Sequence, residues 1–103
     1  MANYQLSSLA RGDLREIAHY GLSQWGIAQA RRYQQTLENC FRAIGEGEIT
    51  GRAFIKRRAD LLFTRCEHHF IFFVRRADKC PLILAVFHER MDLMTRLRAR
   101  LEG

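Results

Sequence analysis

The sequence predicts an α+β fold with the order β-α-α-β-β-β-α, in which a helical hairpin packs on a small antiparallel sheet and a C-terminal helix follows. Two observations predict it. Apolar residues recur at helical spacing through the first half of the chain. Three strand-length apolar runs, separated by polar turns, occupy the second half. With 103 residues, one proline and neither a repeat nor a linker, the chain is expected to form one domain, 1–103.

The first half is expected to form a short strand and two helices. Residues 3–8 alternate polar and apolar side chains, as a strand does, and Ser7 or Ser8 can cap the next helix. The apolar faces of the two helices comprise Leu14, Ile17, Ala18, Gly21, Leu22 and Trp25, and then, from Ile27 to about Ile44, Ala30, Tyr33, Leu37, Cys40, Phe41 and Ile44. Gly26 separates the helices, and so short a joint predicts an antiparallel hairpin.

The second half is expected to form a three-stranded antiparallel meander and a last helix. The runs 61–66, 69–74 and 82–87 are rich in strand formers, and 67–68 and 76–81 supply the turns. The last helix is predicted from about Met91 to Leu101. Its apolar stripe comprises Leu93, Met94, Leu97 and Leu101, whereas Arg96, Arg98 and Arg100 lie off that stripe.

The charge favours a protein that binds another macromolecule. The formal net charge is +6, and all of it lies in residues 51–103, which hold twelve basic and six acidic side chains. Fifteen of the 17 basic residues are arginine, which makes forked contacts with carboxylates and phosphates. This pattern favours an acidic partner, either nucleic acid or an acidic protein segment, over a merely solvated basic surface. A self-contained metabolic enzyme is not expected, because so small a chain has little room for a deep cleft.

Cysteine usage and hydropathy predict a cytoplasmic protein. Cys40, Cys66 and Cys80 are odd in number and lack CxxC spacing, so buried, reduced thiols in a reducing compartment are expected. No signal-peptide pattern opens the chain, and its apolar runs are shorter than the ~20 residues that span a bilayer. No membrane contact is therefore expected.

Two segments carry the side chains best suited to binding or catalysis. His88, Arg90 and Asp92 alternate where the last strand meets the last helix, and they either contact a partner or serve the fold, with Asp92 as a helix cap. The densest basic cluster comprises Arg52, Lys56, Arg57, Arg58 and Arg65, and it is either a contact surface for phosphate or carboxylate groups or a solvated loop. His68 and His69 are adjacent and point to opposite sides of a strand, so no metal site is expected, and no cofactor motif is present.

Seven short motifs follow one another along nearly the whole chain. They are residues 9–20 (LARGDLREIAHY), Trp25-Gly26, Gln29-Ala30, Tyr33-x3-Leu37, Gly51-Arg52, residues 69–73 (HFIFF) and residues 86–92 (VFHERMD). In this order and with these gaps they resemble the RelE/ParE superfamily of bacterial toxins, and within it the ParE branch. The chain differs from the pattern in lacking a proline within 46–49 and in having Phe73 where tyrosine is usual.

The resemblance implies the toxin of a type II toxin–antitoxin system, which inhibits DNA gyrase, blocks replication and serves plasmid stabilisation. It implies a hetero-oligomer with a ParD-like ribbon-helix-helix antitoxin, whose C-terminal segment wraps the toxin and through which alone operator DNA is bound. The residues implied in target binding are Arg90, Asp92, Arg96, Arg98 and Arg100. Those implied in antitoxin binding are Trp25, Tyr33, Arg58, Arg65 and Phe72.

The alternative within the superfamily is a RelE-like, ribosome-dependent mRNA endonuclease. Cleavage of RNA needs a general base, a general acid and cations at the phosphate, which His88 with Arg65 and Arg58 could supply. The tyrosines lie only in the first third of the chain, so a late aromatic hydroxyl is missing. A gyrase inhibitor without chemistry of its own is therefore the preferred hypothesis.

Overall fold

The computed structural model describes residues 3–102, which form three helices and five strands. In chain order the elements are β1 Gln5–Leu6, α1 Ser8–Trp25, α2 Ile27–Gly45, β2 Arg52–Ala53, β3 Leu61–Cys66, β4 His69–Arg76, β5 Lys79–His88 and α3 Leu93–Glu102. This order confirms the predicted α+β architecture and adds one strand, β2. Both residues of β2 are exposed, so no apolar alternation marks it in the sequence.

Capping residues determine where the helices begin and end. The N–H of Ala10 donates to Oγ of Ser7 at 3.0 Å and so caps α1. Gly26 separates α1 from α2 with a φ of 89°, which residues other than glycine rarely adopt. Helix α3 begins later than predicted, at Leu93, because Asp92 accepts a hydrogen bond from the N–H of Thr95 and caps the helix. None of the helices within residues 3–102 combines the length and apolarity needed to cross a membrane.

The strands form one sheet in the order β1-β5-β4-β3-β2. Strands β3, β4 and β5 pair antiparallel, as the predicted meander does, and place Cys66 opposite His69 and His69 opposite His88. Strand β1 runs parallel to β5 and pairs with it at only two positions, ending with Leu6 opposite Ile83. Beyond Ile83, side chains instead of β1 form the hydrogen bonds to this edge of β5.

Each face of the sheet carries its own hydrophobic core. Along β4, Ile71 and Phe73 point towards the hairpin of α1 and α2, whereas Phe72 points towards α3. The buried residues of the hairpin face are Ala10, Leu37, Phe41, Ile44, Cys66, Ile71, Phe73, Ile83 and Val86. Those of the opposite face are Leu61, Phe72, Ala85, Phe87 and Leu97.

A β-bulge interrupts β5 at Leu84. Phe72 lies opposite Ala85 and Phe73 lies opposite Ile83, so Leu84 has no partner between them. As a result, Leu84 and Ala85 both pack on the α3 face. The carbonyl of Leu84 turns away from the ladder and accepts hydrogen bonds from side chains.

The prediction of three reduced thiols is wrong for two of them. Cys40 of α2 and Cys66 of β3 form a disulfide with Cα atoms 6.8 Å apart, whereas Cys80 is free. The two cysteines are 26 residues apart, and only the packing of α2 on the sheet brings them together. The argument from thiols for a reducing compartment therefore does not hold.

Gly51 should tolerate no side chain. Its φ is 77°, and a Cβ there would lie 2.7 Å from Cζ of Phe73. Replacing Gly51 by alanine should lower the free energy of unfolding by about 2 kcal/mol or more, because steric overlap adds to backbone strain. Gly47→Ala is the matched control, since its φ is 81° but a Cβ would meet nothing within 4 Å. Urea unfolding followed by circular dichroism compares them, and equal destabilisation would contradict the packing of Phe73 on Gly51.

Candidate functional site

A cleft of about 670 Å³ opens between the helical hairpin and the end of β5. Tyr20 and Trp25 line its outer part. Both lie in the last turns of α1, which ends at Trp25. Tyr33 of α2 and His69 of β4 line its inner part, and the turn 88–91 forms the opposite wall. Both helices of the hairpin and two strands of the sheet, β4 and β5, therefore contribute to the cleft.

Five rings form a continuous row along the cleft. The distances between successive ring centroids are 6.0 Å for Tyr20–Trp25, 5.6 Å for Trp25–Tyr33, 5.4 Å for Tyr33–His69 and 5.1 Å for His69–His88. All four pairs are tilted or edge-to-face, the arrangements that aromatic rings prefer. Tyr20 is 60% and Trp25 39% exposed, whereas His69 is buried and His88 is half-buried, so the row is most deeply buried at His69.

The hydroxyl of Tyr33 connects the hairpin to the turn between β3 and β4. It accepts the N–H of His68 at 3.2 Å and lies 2.5 Å from Nδ1 of His69. Burial, reinforced by the neighbouring His88 and His68, lowers the pKa of His69 to about 4. His69 is therefore neutral at pH 7, and in the tautomer that carries its proton on Nε2 its Nδ1 accepts the proton of the hydroxyl. Burial also raises the pKa of Tyr33, so that proton stays in place.

Asp13 of α1 closes the edge of β5 beyond β1. Its Oδ2 accepts the N–H of Val86 at 2.9 Å, and its two oxygens accept the guanidinium of Arg100 at 3.0 and 3.1 Å. Arg100 also donates to the carbonyl of Leu84 at 2.8 Å and lies over the ring of Phe87, 5.0 Å from its centroid. The side chains of Asp13 and Arg100 are only 14% and 17% exposed. One ion pair thus joins α1, β5 and α3.

Glu89 holds the end of β5 against the turn between β3 and β4. Its carboxylate contacts Nδ1 of His68 at 2.9 Å and the guanidinium of Arg65, and its N–H donates to the carbonyl of His68 at 2.8 Å. The hydrogen bond from His68, together with the charge of Arg65, lowers the pKa of Glu89. Nearby, Nδ1 of His88 accepts the N–H of Arg90 at 3.1 Å. The cleft wall is therefore fixed by several polar contacts.

Comparison with known proteins identifies the family. A family model described as ParE toxin of type II toxin-antitoxin system, parDE, matches residues 4–93. The chain belongs to the ParE toxin family. It is 43% identical to "Toxin ParE" of Escherichia coli over 103 residues, which cover 100% of both chains. It is 30% identical to "Toxin ParE1" of Caulobacter vibrioides over 99 residues, which cover 94% of this chain and 99% of that protein.

A solved structure agrees with the fold of this ParE-family chain. The "Chromosomal ParDE TA system from P. aeruginosa" is similar with a TM-score of 0.70, over 85% of this chain and 96% of the other. The identity is 16%, so the likeness shows the fold alone. The predicted ParE-like architecture is thereby confirmed.

The residues that the ParE resemblance implied in antitoxin binding do not lie together. Trp25 and Tyr33 line the cleft. Phe72 is 0% exposed, which contradicts its predicted contact with a partner, because the alternation of β4 turns it into the core beside α3. Arg58 pairs with Asp60 at 3.0 Å in the exposed loop before β3. Arg65 lies outside the cleft and contacts its wall through Glu89.

The residues implied in target binding are likewise divided. Arg90, Arg96 and Arg98 are exposed, and none forms a salt bridge within residues 3–102. Arg100 is instead turned onto Asp13, so its predicted place off the buried side of the last helix is wrong. The carboxylate of Asp92 caps α3, and hydrogen bonds from Thr95 lower its pKa.

The set proposed for RNA cleavage is spread over both ends of the sheet. Cys66 lies opposite His69, which lies opposite His88, so Arg65 and His88 share one end. Arg58 precedes the other end of β3, whose six residues span about 17 Å. Within residues 3–102, no three His, Cys, Asp or Glu side chains are grouped so as to hold a metal ion.

Sequence reasoning missed Asp13, Tyr20, His69 and Glu89 as site residues. Asp13 follows the buried Ala10 by three residues and precedes Ile17 by four, which places a carboxylate on the apolar face of α1. That position was a usable signal of a buried partner. Its partner, 87 residues away, carried no comparable signal.

The neutral state of His69 predicts a loss of stability in mild acid. The unfolded chain binds a proton near the usual pKa of 6.5, whereas the folded chain does so only near 4, so stability is full above pH 6.5 and falls between these values. The fall should be at most about 3 kcal/mol. His69→Gln should flatten this part of the pH profile, and His19→Gln, on the exposed side of α1, should not. Urea unfolding at several pH values tests this, and an NMR midpoint of His69 near 6.5 would contradict it.

The Asp13–Arg100 pair predicts a second, site-specific effect. Arg100→Gln should lower the free energy of unfolding by about 2–3 kcal/mol, because it leaves a largely buried carboxylate without its cation. Arg96→Gln, at an exposed position of the same helix, should change it by less than about 0.5 kcal/mol. Thermal or urea unfolding measures the free energy of unfolding of both variants. Equal losses of stability would mean that α3 does not depend on this ion pair.

Proposed function

We propose that this chain, as one domain over 1–103, acts in the cytoplasm as a ParE toxin that inhibits DNA gyrase and is neutralised by a ParD-like antitoxin. The observation that carries the proposal is the ParE family match over residues 4–93. Two relatives named as ParE toxins, matched over nearly their whole length, support it. The antitoxin is then a ribbon-helix-helix protein that alone contacts operator DNA, and plasmid stabilisation is a consequence of the pair.

The cleft supports the antitoxin part of the proposal. Its rim leaves large apolar side chains in water, because Tyr20 is 60%, Trp25 39% and Met91 36% exposed. Leu22 and Ile27, at the tip of the hairpin, are 49% and 58% exposed. An apolar surface of this kind in so small a protein suits the amphipathic segment of a partner. The tail of the antitoxin would lie along the cleft, on Trp25 and Tyr33.

The exposed arginines support the gyrase part of the proposal. Leu97 is fully buried and Arg100 is bound to Asp13, so α3 is held on the sheet by one side. Arg96 and Arg98 are thereby presented on the exposed side of a fixed helix. Arg90 is exposed in the turn that leads into it. Arginines held in this way can form forked, partly desolvated contacts with carboxylates or phosphates of a large target.

An mRNA endonuclease is the weaker candidate. It would need Arg58 and His88 at one phosphate, but a whole strand separates them. Nδ1 of His88 already accepts a hydrogen bond from the backbone N–H of Arg90, and Arg65 already forms a salt bridge with Glu89. These contacts suit residues that build a surface rather than residues that move protons at a scissile bond.

Substitutions in the proposed target surface should relieve toxicity without unfolding the protein. Arg90→Ala or Arg96→Ala should each weaken target binding by about 2 kcal/mol if the contact is desolvated. His88→Ala should have a milder effect, because His88 transfers no proton in this proposal. Growth arrest, the DNA-damage response and supercoiling by purified gyrase measure the effects. The circular-dichroism spectrum and the unfolding midpoint of each purified variant serve as the control for folding.

The opposite order of effects would sink the proposal. Loss of toxicity in His88→Ala alone, in a stably folded protein, would favour the endonuclease. Cleaved mRNA with intact DNA after induction would do the same.

A further inference from the structure

The cleft differs in charge from the rest of the molecule. The chain carries a formal charge of +6, yet the residues that line the cleft include three carboxylates, those of Asp13, Glu16 and Glu89, and one guanidinium, that of Arg90. Asp13 is paired with Arg100, and Glu89 with Arg65 and His68. Glu16 forms no salt bridge with any residue from 3 to 102. One uncompensated carboxylate therefore stands at the cleft of a basic protein.

Three aromatic rings beside Glu16 line the same cleft, those of Tyr20, Trp25 and Tyr33. Tyr20 follows Glu16 by one helical turn on α1, so their side chains are neighbours. Trp25 lies edge-to-face with Tyr20, and Tyr33 continues the row inward. Tyr20 and Trp25 are both partly exposed, so the row is open to an incoming group. In the inner part of the cleft, His69 is uncharged at pH 7, because burial lowers its pKa to about 4.

Resting on the proposed function, we propose that the cleft receives one arginine side chain of the antitoxin tail, between the rings of Tyr20, Trp25 and Tyr33 and against the carboxylate of Glu16. Aromatic rings attract a cation over their faces, most strongly tryptophan. Arginine fits better than lysine, because its planar group stacks on rings while its N–H groups bind a carboxylate in a forked manner. The rings supply affinity and Glu16 supplies selection for charge.

Trp25 is the only tryptophan of the chain, so its fluorescence reports directly on the cleft. The first experiment titrates the purified toxin with N-acetyl-arginine amide and, as a neutral isostere, with N-acetyl-citrulline amide. We expect a saturable change of Trp25 fluorescence with the arginine derivative and binding about fivefold weaker with the citrulline derivative. Glu16→Gln should weaken the binding of the arginine derivative by about the same factor. Glu46→Gln, which changes an exposed carboxylate just after α2, should leave that binding unchanged. Equal binding of the two derivatives, or an unchanged response in Glu16→Gln, overturns the inference.

The second experiment uses the toxin with its co-encoded antitoxin. Each arginine and lysine of the antitoxin tail is replaced by glutamine, alone and together with Glu16→Gln, and the dissociation constants form double-mutant cycles. We expect coupling of about fivefold at one arginine and none elsewhere. A tight complex without coupling at any position overturns the arginine site but leaves the proposed function intact. Absence of any complex contradicts the proposed function itself.

Discussion

The carboxylate of Asp13 is the contact on which the rest of the structure depends. Strand β1 pairs with β5 only as far as Ile83, and the N–H of Val86 beyond it would otherwise be an unpaired donor at an open edge. Asp13 accepts that N–H and also holds Arg100, so a helix on each face of the sheet is attached to the same strand. Both partners are largely buried, so removing one would leave an unbalanced charge.

The bulge at Leu84 makes this arrangement possible. In a regular ladder the carbonyl of Leu84 would bond to β4, but the extra residue turns it outward, where Arg100 and Oγ of Ser7 donate to it. Ser7 also caps α1, so the same few atoms place the start of α1 and the end of α3. Beyond the bulge the alternation resumes, and His88 comes to lie against His69 at the floor of the cleft. A local irregularity of one strand thus sets the geometry of the site.

Local patterns in the sequence predicted the elements, but not the contacts between distant ones. The hairpin and the meander follow from periodicity and from Gly26, because those signals lie within a single element. Strand β2 was not predicted, because both its residues are exposed and show no apolar alternation. The Cys40–Cys66 disulfide was not predicted either, because the two cysteines meet only when α2 packs on the sheet. Arg100 was assigned to the surface because the buried face of a helix was inferred from its apolar residues alone, and such a pattern cannot reveal an arginine buried in an ion pair. Trp25 and Tyr33 were placed in the site by family resemblance, and the structure adds that they belong to a row of rings.

The position of Arg90 suggests how one small surface could serve both partners in the proposed function. Arg90 and Met91 line the cleft and also precede α3, whereas Arg96 and Arg98 lie farther along the helix. An antitoxin tail in the cleft would cover Arg90 and leave the other two arginines in water. Neutralisation would then need no rearrangement of the fold, because the tail and the target would compete for the same turn. Of the three exposed arginines, Arg90 alone lines the cleft, so it is the one whose contact with a target a tail in the cleft would block directly.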